Sequence, residues 1–466
     1  MTSNYDYDLV SIGSGPAGQR AAVQAAKLGR RAAVIEKRRC VGGVCTGTGT
    51  IPSKTIREAI LAYAGGSARS DRLPWARPAS RPSAEQLLAG VEAIVSREIE
   101  VIEQQLRRND VTLIQGEASF LDPNTLAVRT ETGATRVRAG HVVIAVGTRP
   151  APTPGVEPDG QIVLNSDQIV SLKTLPRTLA VVGAGVIGVE YASMFAAVGV
   201  QVTLVERRDR PLEFLDREIV DELMHQLRQR NVTFRLGEAV ESLAITENAP
   251  LRAVLNLESG KRLVADAVLF SAGRLAATES LNLAAAGLSA DDRGRLKVDD
   301  AFRTSVPHIF AAGDVIGYPS LAATSSEQGR LAACQAFGIE ARPMARHFPI
   351  GIYAIPEISM VGPPEHELTA ARVPYETGVA RYREIARGQI LGDESGFFKM
   401  LFHRKDRRLL AVHCLGTGAT ELVHVGQAVL GLGGGLDYFL ETVFNYPTLA
   451  ECYKVAALDA SNKLRG

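Results

Sequence analysis

Two strand–turn–helix–strand units, one at Gly13-Ser14-Gly15-Pro16-Ala17-Gly18 and one at Gly183-Ala184-Gly185-Val186-Ile187-Gly188, predict an α/β fold with two Rossmann-like dinucleotide-binding domains. After about residue 346 the pattern changes to short apolar strands and a helix, which predicts a C-terminal α+β domain. The 466 residues, 46% hydrophobic and 22% charged, allow roughly three domains at ~150 residues each. With 52 Lys+Arg against 51 Asp+Glu, no overall field favours nucleic acid or an anionic membrane.

The first unit begins with a buried strand, Tyr7 to Ile12, running into the glycine hexapeptide and then an Ala-rich helical stretch to Leu28. A second strand, Arg31 to Ile35, ends on Glu36. A glycine hexapeptide alone is weak evidence, but strand, G-x-G-x-x-G, helix, strand and acid in that order is specific. The first glycine permits the tight turn, the second lets a pyrophosphate approach the backbone, and the third lets helix and strand pack closely. The helix N-terminus offers unpaired N–H groups to the phosphates. Glu36 is expected to accept hydrogen bonds from a ribose diol.

The second unit starts 170 residues later: Thr178 to Val182 as strand, Gly183 to Gly188 as turn, a helix through Phe195, and Val200 to Val205 as a strand ending on Glu206. Two complete units imply two dinucleotides. That combination points to a flavin fed by a nicotinamide, because hydride exchange between two cofactors needs both sites. Glu206 suits the diol of NAD, and Arg207 and Arg208 suit the 2'-phosphate of NADP.

Later segments fit this plan. Val142 to Ala145, before Val146-Gly147-Thr148-Arg149-Pro150, closes the first domain, and Val268 to Ala272 repeats the device before Gly273-Arg274. Ile309 to Ala312 ends in Gly313-Asp314, where the acid either meets a ribityl hydroxyl or caps a turn. Gly65 to Ser83, rich in Gly, Ser, Pro and Arg, reads as a surface loop or lid with disorder expected, and helical spacing returns from Ala84 to Arg107. Strands are expected at Lys399 to Phe402 and Leu409 to Leu415, a helix at Ala419 to Leu430, and a break at the glycines 433 to 435.

The five cysteines, Cys40, Cys45, Cys334, Cys414 and Cys452, contain no CxxC pair. That argues against a secreted disulfide framework and a zinc site, and favours a reducing cytoplasm. No metal is expected. The N-terminus carries no visible secretory signal, and Glu190 interrupts the apolar run near Leu179 to Val189, so no membrane span is expected.

Taken in combination, these motifs resemble the two-dinucleotide flavoprotein disulfide reductases, the family of glutathione reductase, dihydrolipoamide dehydrogenase and mercuric reductase. The likeness runs from Gly13 to Phe444-Asn445-Tyr446-Pro447-Thr448-Leu449-Ala450-Glu451. It implies an FAD-binding domain over 1–150, an NAD(P)-binding domain over 151–275, a central segment over 276–345 and a dimerisation domain over 346–466, assembled as a homodimer or higher homo-oligomer. It places FAD on Gly13, Gly15, Pro16, Ala17, Gly18, Glu36, Lys37, Gly42, Gly43, Cys45, Lys54, Ala118, Gly147, Asp314, Leu321 and Ala322. NAD(P) falls on Gly183, Gly185, Val186, Ile187, Gly188, Glu206, Arg207, Arg208 and Gly273. Lys54 and Glu190 match the pair that the family sets beside the reactive flavin nitrogen, and they are the expected catalytic residues.

Two departures concern one half-reaction. Disulfide-reducing members carry Cys-x4-Cys before Ile-Pro-x-Lys, and a His near the C-terminus with a Glu five residues on. Here Thr50 follows Cys45 in the first motif, and Tyr446 stands at the His position with Glu451 retained. Thr forms no disulfide, and Tyr, with a pKa near 10, is a poor proton shuttle at neutral pH. Cys40 also lies five residues from Cys45, but upstream of the family position, and reads as a free thiol. Gly42 to Lys54 (GGVCTGTGTIPSK) and FNYPTLAE are similar to the branch of the family that exchanges hydride between NAD and NADP pools through FAD, in a reversible ping-pong reaction. Val186, in place of a gating Tyr, leaves the flavin face open. Alternatives are an NAD(P)H:quinone or dye reductase of the same fold, a disulfide reductase with an unusual relay, and a non-catalytic flavin-binding redox sensor.

Overall fold

The computed structural model describes residues 5–68, 82–153 and 155–465. The first sheet is built around Tyr7–Ile12, whose last four residues are fully buried, with Ala32–Glu36 parallel on one side and Gly133–Ile144 on the other. Thr112–Gln115 extends it beyond Ala32–Glu36. The 12-residue strand Gly133–Ile144 pairs in two ways. Its first half is antiparallel to Thr125–Thr130, which pairs in turn with Glu117–Asp122. Its last residues run parallel to Ile309–Ala311, with Ile309 opposite Val142 and Ala311 opposite Ile144. That late return of the chain delivers Gly313-Asp314 to the carboxyl ends of the strands, where open α/β sheets bind ligands.

The second sheet is wholly parallel, in the order Thr233–Leu236, Gln201–Glu206, Thr178–Val182, Ala267–Phe270, Val163–Asn165. Parallel strands are buried on both faces, so TLAVV and AVLF carry no polar alternation. On one face the antiparallel strands Val240–Ile245, Ala253–Leu257 and Arg262–Ala265 share a core with it through Leu243, Leu255, Ala180 and Val268. A short antiparallel ribbon, Thr148–Pro150 with Arg274–Ala276, joins the exits of the two sheets.

The C-terminal sheet is antiparallel, in the order Ile350–Ile352, Ile358–Val361, Leu409–Leu415, Phe397–His403, Tyr375–Arg381. Helices Ala419–Gly431 and Glu451–Arg465 help to cover it, with Phe398, Phe439 and Tyr453 in contact at ring centroid separations of 4.5 and 5.2 Å. Inside this sheet Lys399 is fully buried. Its ammonium donates to Asp216 at 3.2 Å, to Glu218 at 2.6 Å and to Glu365, tying helix Arg217–Gln229 to the C-terminal sheet.

Several elements differ from expectation. Helix Thr50–Ala68 runs through residues 65–68 of the expected loop, and residues 69–81 of that loop lie outside the described residues. Ser83 instead accepts from the Gln86 N–H and caps Ala84–Leu88. The helical stretch to Arg107 is two helices, broken at Ala89 and Gly90 before Val91–Arg107. The helix after the second turn runs on to Ala197, and Leu409–Leu415 falls as expected. Among the described residues no helix is long and apolar enough to cross a membrane.

Candidate active site

At the first turn Gly13 takes φ +102°, which a side chain rarely adopts, and a Cβ on Gly18 would collide with the Gly13 carbonyl. Gly15 precedes helix Pro16–Lys27 with no side-chain cap, and a Cβ placed on it would meet nothing within 4 Å. The first helical N–H groups therefore face open space, as a pyrophosphate requires. Glu36 is buried and accepts from the Ser14 N–H at 2.9 Å, the Ser14 hydroxyl at 2.6 Å and the Arg38 N–H at 2.8 Å. Ser14 Oγ accepts in turn from the Gly42 N–H at 2.9 Å. Three neutral donors leave part of the carboxylate's acceptor capacity free for a diol.

A cavity follows from this turn. Of the residues expected to hold FAD, Gly13, Gly15, Pro16, Ala17, Glu36, Lys37, Gly43, Cys45, Ala118, Gly147, Asp314 and Ala322 line it. Gly18 and Gly42 are not in its wall; Gly18 packs against the turn and Gly42, at φ +106°, shapes the approach to Cys45. Sequence reasoning missed Ser14, Glu117, Glu279 and Ser280, which also line it. Only Ser14 carried a signal, as a hydroxyl inside the hexapeptide.

The cavity shares Val44, Thr50, Thr148, Asp314 and Ala322 with an adjoining cleft of about 700 Å³, within the usual size of small-molecule sites. Lys54 and Leu321 belong to this cleft, and Val186, Ile187 and Glu190 form its wall on the side of the second turn. The Lys54 ammonium donates to both oxygens of Glu190, at 3.0 and 2.9 Å. Glu190 is buried, and its Oε1 also accepts from the Tyr353 N–H at 2.8 Å. Asp314 follows the N-cap Gly313 of a single 3-10 turn, makes no side-chain cap hydrogen bond and lines both cavities, where its carboxylate is open to a ligand. Burial raises its carboxyl above the usual range, while the Arg274 charge and hydrogen bonds from Ser325 and Thr148 oppose the rise.

The second turn repeats the backbone, with Gly183 at φ +99° and a Cβ on Gly188 falling 2.7 Å from Ser271 Oγ. The acid is held differently. Glu206 accepts from the Ala184 N–H at 2.7 Å and the Arg208 N–H at 3.1 Å. The Arg208 guanidinium also forks onto it, Nε to Oε1 and Nη2 to Oε2, both at 2.9 Å. Burial opposes ionisation of Glu206, but the Arg208 and Ala184 hydrogen bonds outweigh it and hold the carboxyl below its usual range. Arg208, expected to face a phosphate, thus spends its fork on Glu206, while Arg207 is exposed. Gly273, at φ +130°, lies beside the Arg293 guanidinium.

Sulfur chemistry is poorly served. Burial pushes the Cys45 thiol up, and a hydrogen bond with Thr50 offsets this only in part. All five cysteines are free, with Cys40 exposed. Tyr446 is 70% exposed, and Glu451 accepts from the Thr448 N–H at 3.1 Å at the start of its own helix.

One dinucleotide turn opening on a cavity and a second on the cleft that adjoins it, with a lysine–carboxylate pair in that cleft, define an FAD- and pyridine nucleotide-dependent oxidoreductase. The family model for pyridine nucleotide-disulphide oxidoreductases matches residues 7–329, and that for the family's dimerisation domain matches residues 348–457. The chain belongs to this family. It is 52% identical over 462 residues to a soluble pyridine nucleotide transhydrogenase of Mycobacterium bovis, covering 99% of this chain and 98% of the relative. A Pseudomonas aeruginosa protein of the same name is 43% identical, covering 99% of each. Among solved structures, the HOCl-induced flavoprotein disulfide reductase RclA of Escherichia coli superposes with a TM-score of 0.87 at 27% identity, over 97% of this chain and 99% of that one. LpdA of Mycobacterium tuberculosis gives 0.88 at 26%, with the same coverage.

Proposed function

We infer that this chain is an FAD-dependent NAD(P)+ transhydrogenase, exchanging reducing equivalents reversibly between NADPH and NAD+, one nucleotide at a time, through the cleft beside Lys54 and Glu190. The observation that carries this is local: where a redox dithiol needs two sulfurs, Cys45 faces the hydroxyl of Thr50. Bound FAD supplies the two-electron carrier between the nucleotides. The residues present fit it, since the glycine turn leaves room at Gly15, Glu36 keeps acceptor capacity and Asp314 faces the cavity.

The chain's own groups divide the work. Gly13 to Gly18 present helical N–H groups to the pyrophosphate, and Glu36 takes the ribose diol. Lys54 holds a positive charge in the cleft that adjoins the cavity, and Glu190 fixes where that charge sits. Val186 leaves the cleft open to a nicotinamide ring. Glu206 accepts a 2'-hydroxyl, and with its charge balanced by Arg208 it tolerates a 2'-phosphate that Arg207 approaches from solvent. No residue of the site is required to move a substrate proton, which accounts for a Tyr at position 446.

The proposed division of the chain is FAD binding over 1–150, NAD(P) binding over 151–275, a central return over 276–345 and an interface over 346–466. The matched dimerisation domain and exposed Val443, Tyr446 and Leu432 support a homodimer through that last part. Five free cysteines support a reducing, cytoplasmic setting. The test is anaerobic addition of NADPH to purified flavin-loaded protein, followed by thio-NAD+. Flavin bleaching without a long-wavelength charge-transfer band, then rapid recovery of colour with thio-NADH formation, is expected. Recovery with a quinone but not with thio-NAD+ would sink the assignment.

A further inference from the structure

Lys54 and Glu190 lie on separate helices, Thr50–Ala68 and Val186–Ala197, and a third segment, Tyr353 to Glu357, packs against both. The Tyr353 N–H donates to Glu190 Oε1 at 2.8 Å, and the Lys54 ammonium lies 4.9 Å from the centre of the Tyr353 ring. Ring and amide of one residue thus touch both members of the ion pair. The segment is itself anchored on each side. The Ile355 N–H donates to Ser193 Oγ at 2.9 Å, and Ser193 donates to the Glu190 carbonyl at 2.7 Å. Arg57 donates to the Ala354 carbonyl at 3.3 Å and to Glu357 at 2.8 Å, and Thr420 donates its hydroxyl to Glu357 at 2.9 Å. A hydrogen bond between the Tyr353 side chain and Thr420 holds the far end of the ring.

We propose that Tyr353 is a positioning residue for the reaction: its ring, delivered by the C-terminal domain, seats the Lys54 ammonium against the reactive end of the bound flavin. The geometry leaves the ammonium little choice. Both Glu190 oxygens pull from one side and the electron-rich ring face closes another, so the charge stays fixed at the cleft wall. A cation fixed there stabilises the anionic reduced flavin more than the neutral oxidised one. Without the ring, Lys54 keeps its carboxylate but gains freedom to swing into the cleft and be solvated, and that differential stabilisation falls. The inference rests on the proposed function only for the identity of the bound cofactor.

The test compares flavin-loaded Tyr353→Leu and Tyr353→Phe with the parent. The flavin midpoint potential is read by equilibration with a reference dye, and the rate of flavin reduction by NADPH by stopped flow. Tyr353→Leu is expected to lower the equilibrium constant for flavin reduction fivefold to tenfold, about 20–30 mV on a two-electron couple. Reduction by NADPH slows by a similar factor with the nucleotide Kd unchanged, and Tyr353→Phe restores both. Because dye equilibration uses no nicotinamide acceptor, a failed transhydrogenase assignment leaves this result standing. Should Tyr353→Leu not fold, phenylalanine analogues of increasing fluorination at position 353 preserve shape while draining the ring face, and the potential should fall stepwise. An unchanged potential in Tyr353→Leu, equal impairment in the Leu and Phe variants, or a flat fluorination series overturns the proposal.

Discussion

The two glycine turns share a backbone and differ in what surrounds it. Gly13 and Gly183 take φ of +102° and +99°, and Gly15 and Gly185 both leave open space at their missing Cβ. The first acid, Glu36, is held by neutral donors, whereas the second, Glu206, carries an arginine fork. Two residues past the last glycine, the first helix exposes Arg20 and the second buries Glu190 under Lys54. On the proposed function, one scaffold serves a resident cofactor at one end and an exchanging substrate at the other. Its glycines set where phosphate binds, and its neighbours set charge and chemistry.

The largest expected effects separate the two turns. Gly18→Ala pushes a methyl into the Gly13 carbonyl, and Gly188→Ala does the same at Gly183. Such overpacking costs on the order of 3 kcal/mol, or over a hundredfold in affinity if it falls on binding. Gly18→Ala should emerge depleted of flavin, measured by the ratio of flavin to protein absorbance. Gly188→Ala should remain yellow but lose NADP+ binding, measured by flavin fluorescence on titration. If either substitution abolishes both properties equally, the turns do not act as separate sites.

A smaller effect probes the acids. Arg208→Ala should leave Glu206 as an unbalanced carboxylate facing a 2'-phosphate, raising KM for NADPH about tenfold and that for NADH less than threefold, by the loss of a charge-assisted pair. Arg207→Ala should raise KM for NADPH about threefold. Because Glu206 is held below the usual carboxylate range, its charge and its pairing persist above that range and are lost only as pH falls through the lowered value. The ratio of NADPH to NADH activity should accordingly stay flat between pH 6 and 8 on this account. A steep change there in the parent, absent from Arg208→Ala, would contradict the pairing.

These contrasts show what was legible in the chain. Strand, turn, helix and acid were readable at both units because glycine geometry and apolar strands are local. Thr178–Val182 and Leu409–Leu415 fell where their apolar runs placed them. The Lys54–Glu190 contact spans 136 residues and was reachable only through the family resemblance. The part proposed for Tyr353 was not visible, because neither its amide's bond to Glu190 nor its ring's approach to Lys54 is local in the chain. Arg208 was foreseen beside the 2'-phosphate, and its fork onto Glu206 depends on a side-chain conformation that spacing does not specify. Gly65 and Gly66 read as a loop start, yet helix Thr50–Ala68 continues through them, as tertiary context overrides weak local propensity.

The smallest expected effect concerns the residue that most tempts a redox interpretation. Cys45 lines the flavin cavity, on a short helix that begins just after Gly42. A thiol acts as a nucleophile through its thiolate, and burial drives the Cys45 proton the other way, with the Thr50 hydrogen bond only a partial offset. No second sulfur stands at position 50 to resolve a mixed disulfide. Serine keeps the shape and the hydrogen bond to Thr50, so Cys45→Ser should change NADPH to thio-NAD+ exchange by no more than about twofold, the ordinary scale of a substitution that removes no essential group. The flavin spectrum should be unchanged from the parent, with no thiolate charge-transfer shoulder expected in either protein. If exchange instead falls tenfold or more while flavin loading is intact, the thiol takes part in electron transfer, and the contrast between a turn that only binds and a cleft that reacts would have to be redrawn around Cys45.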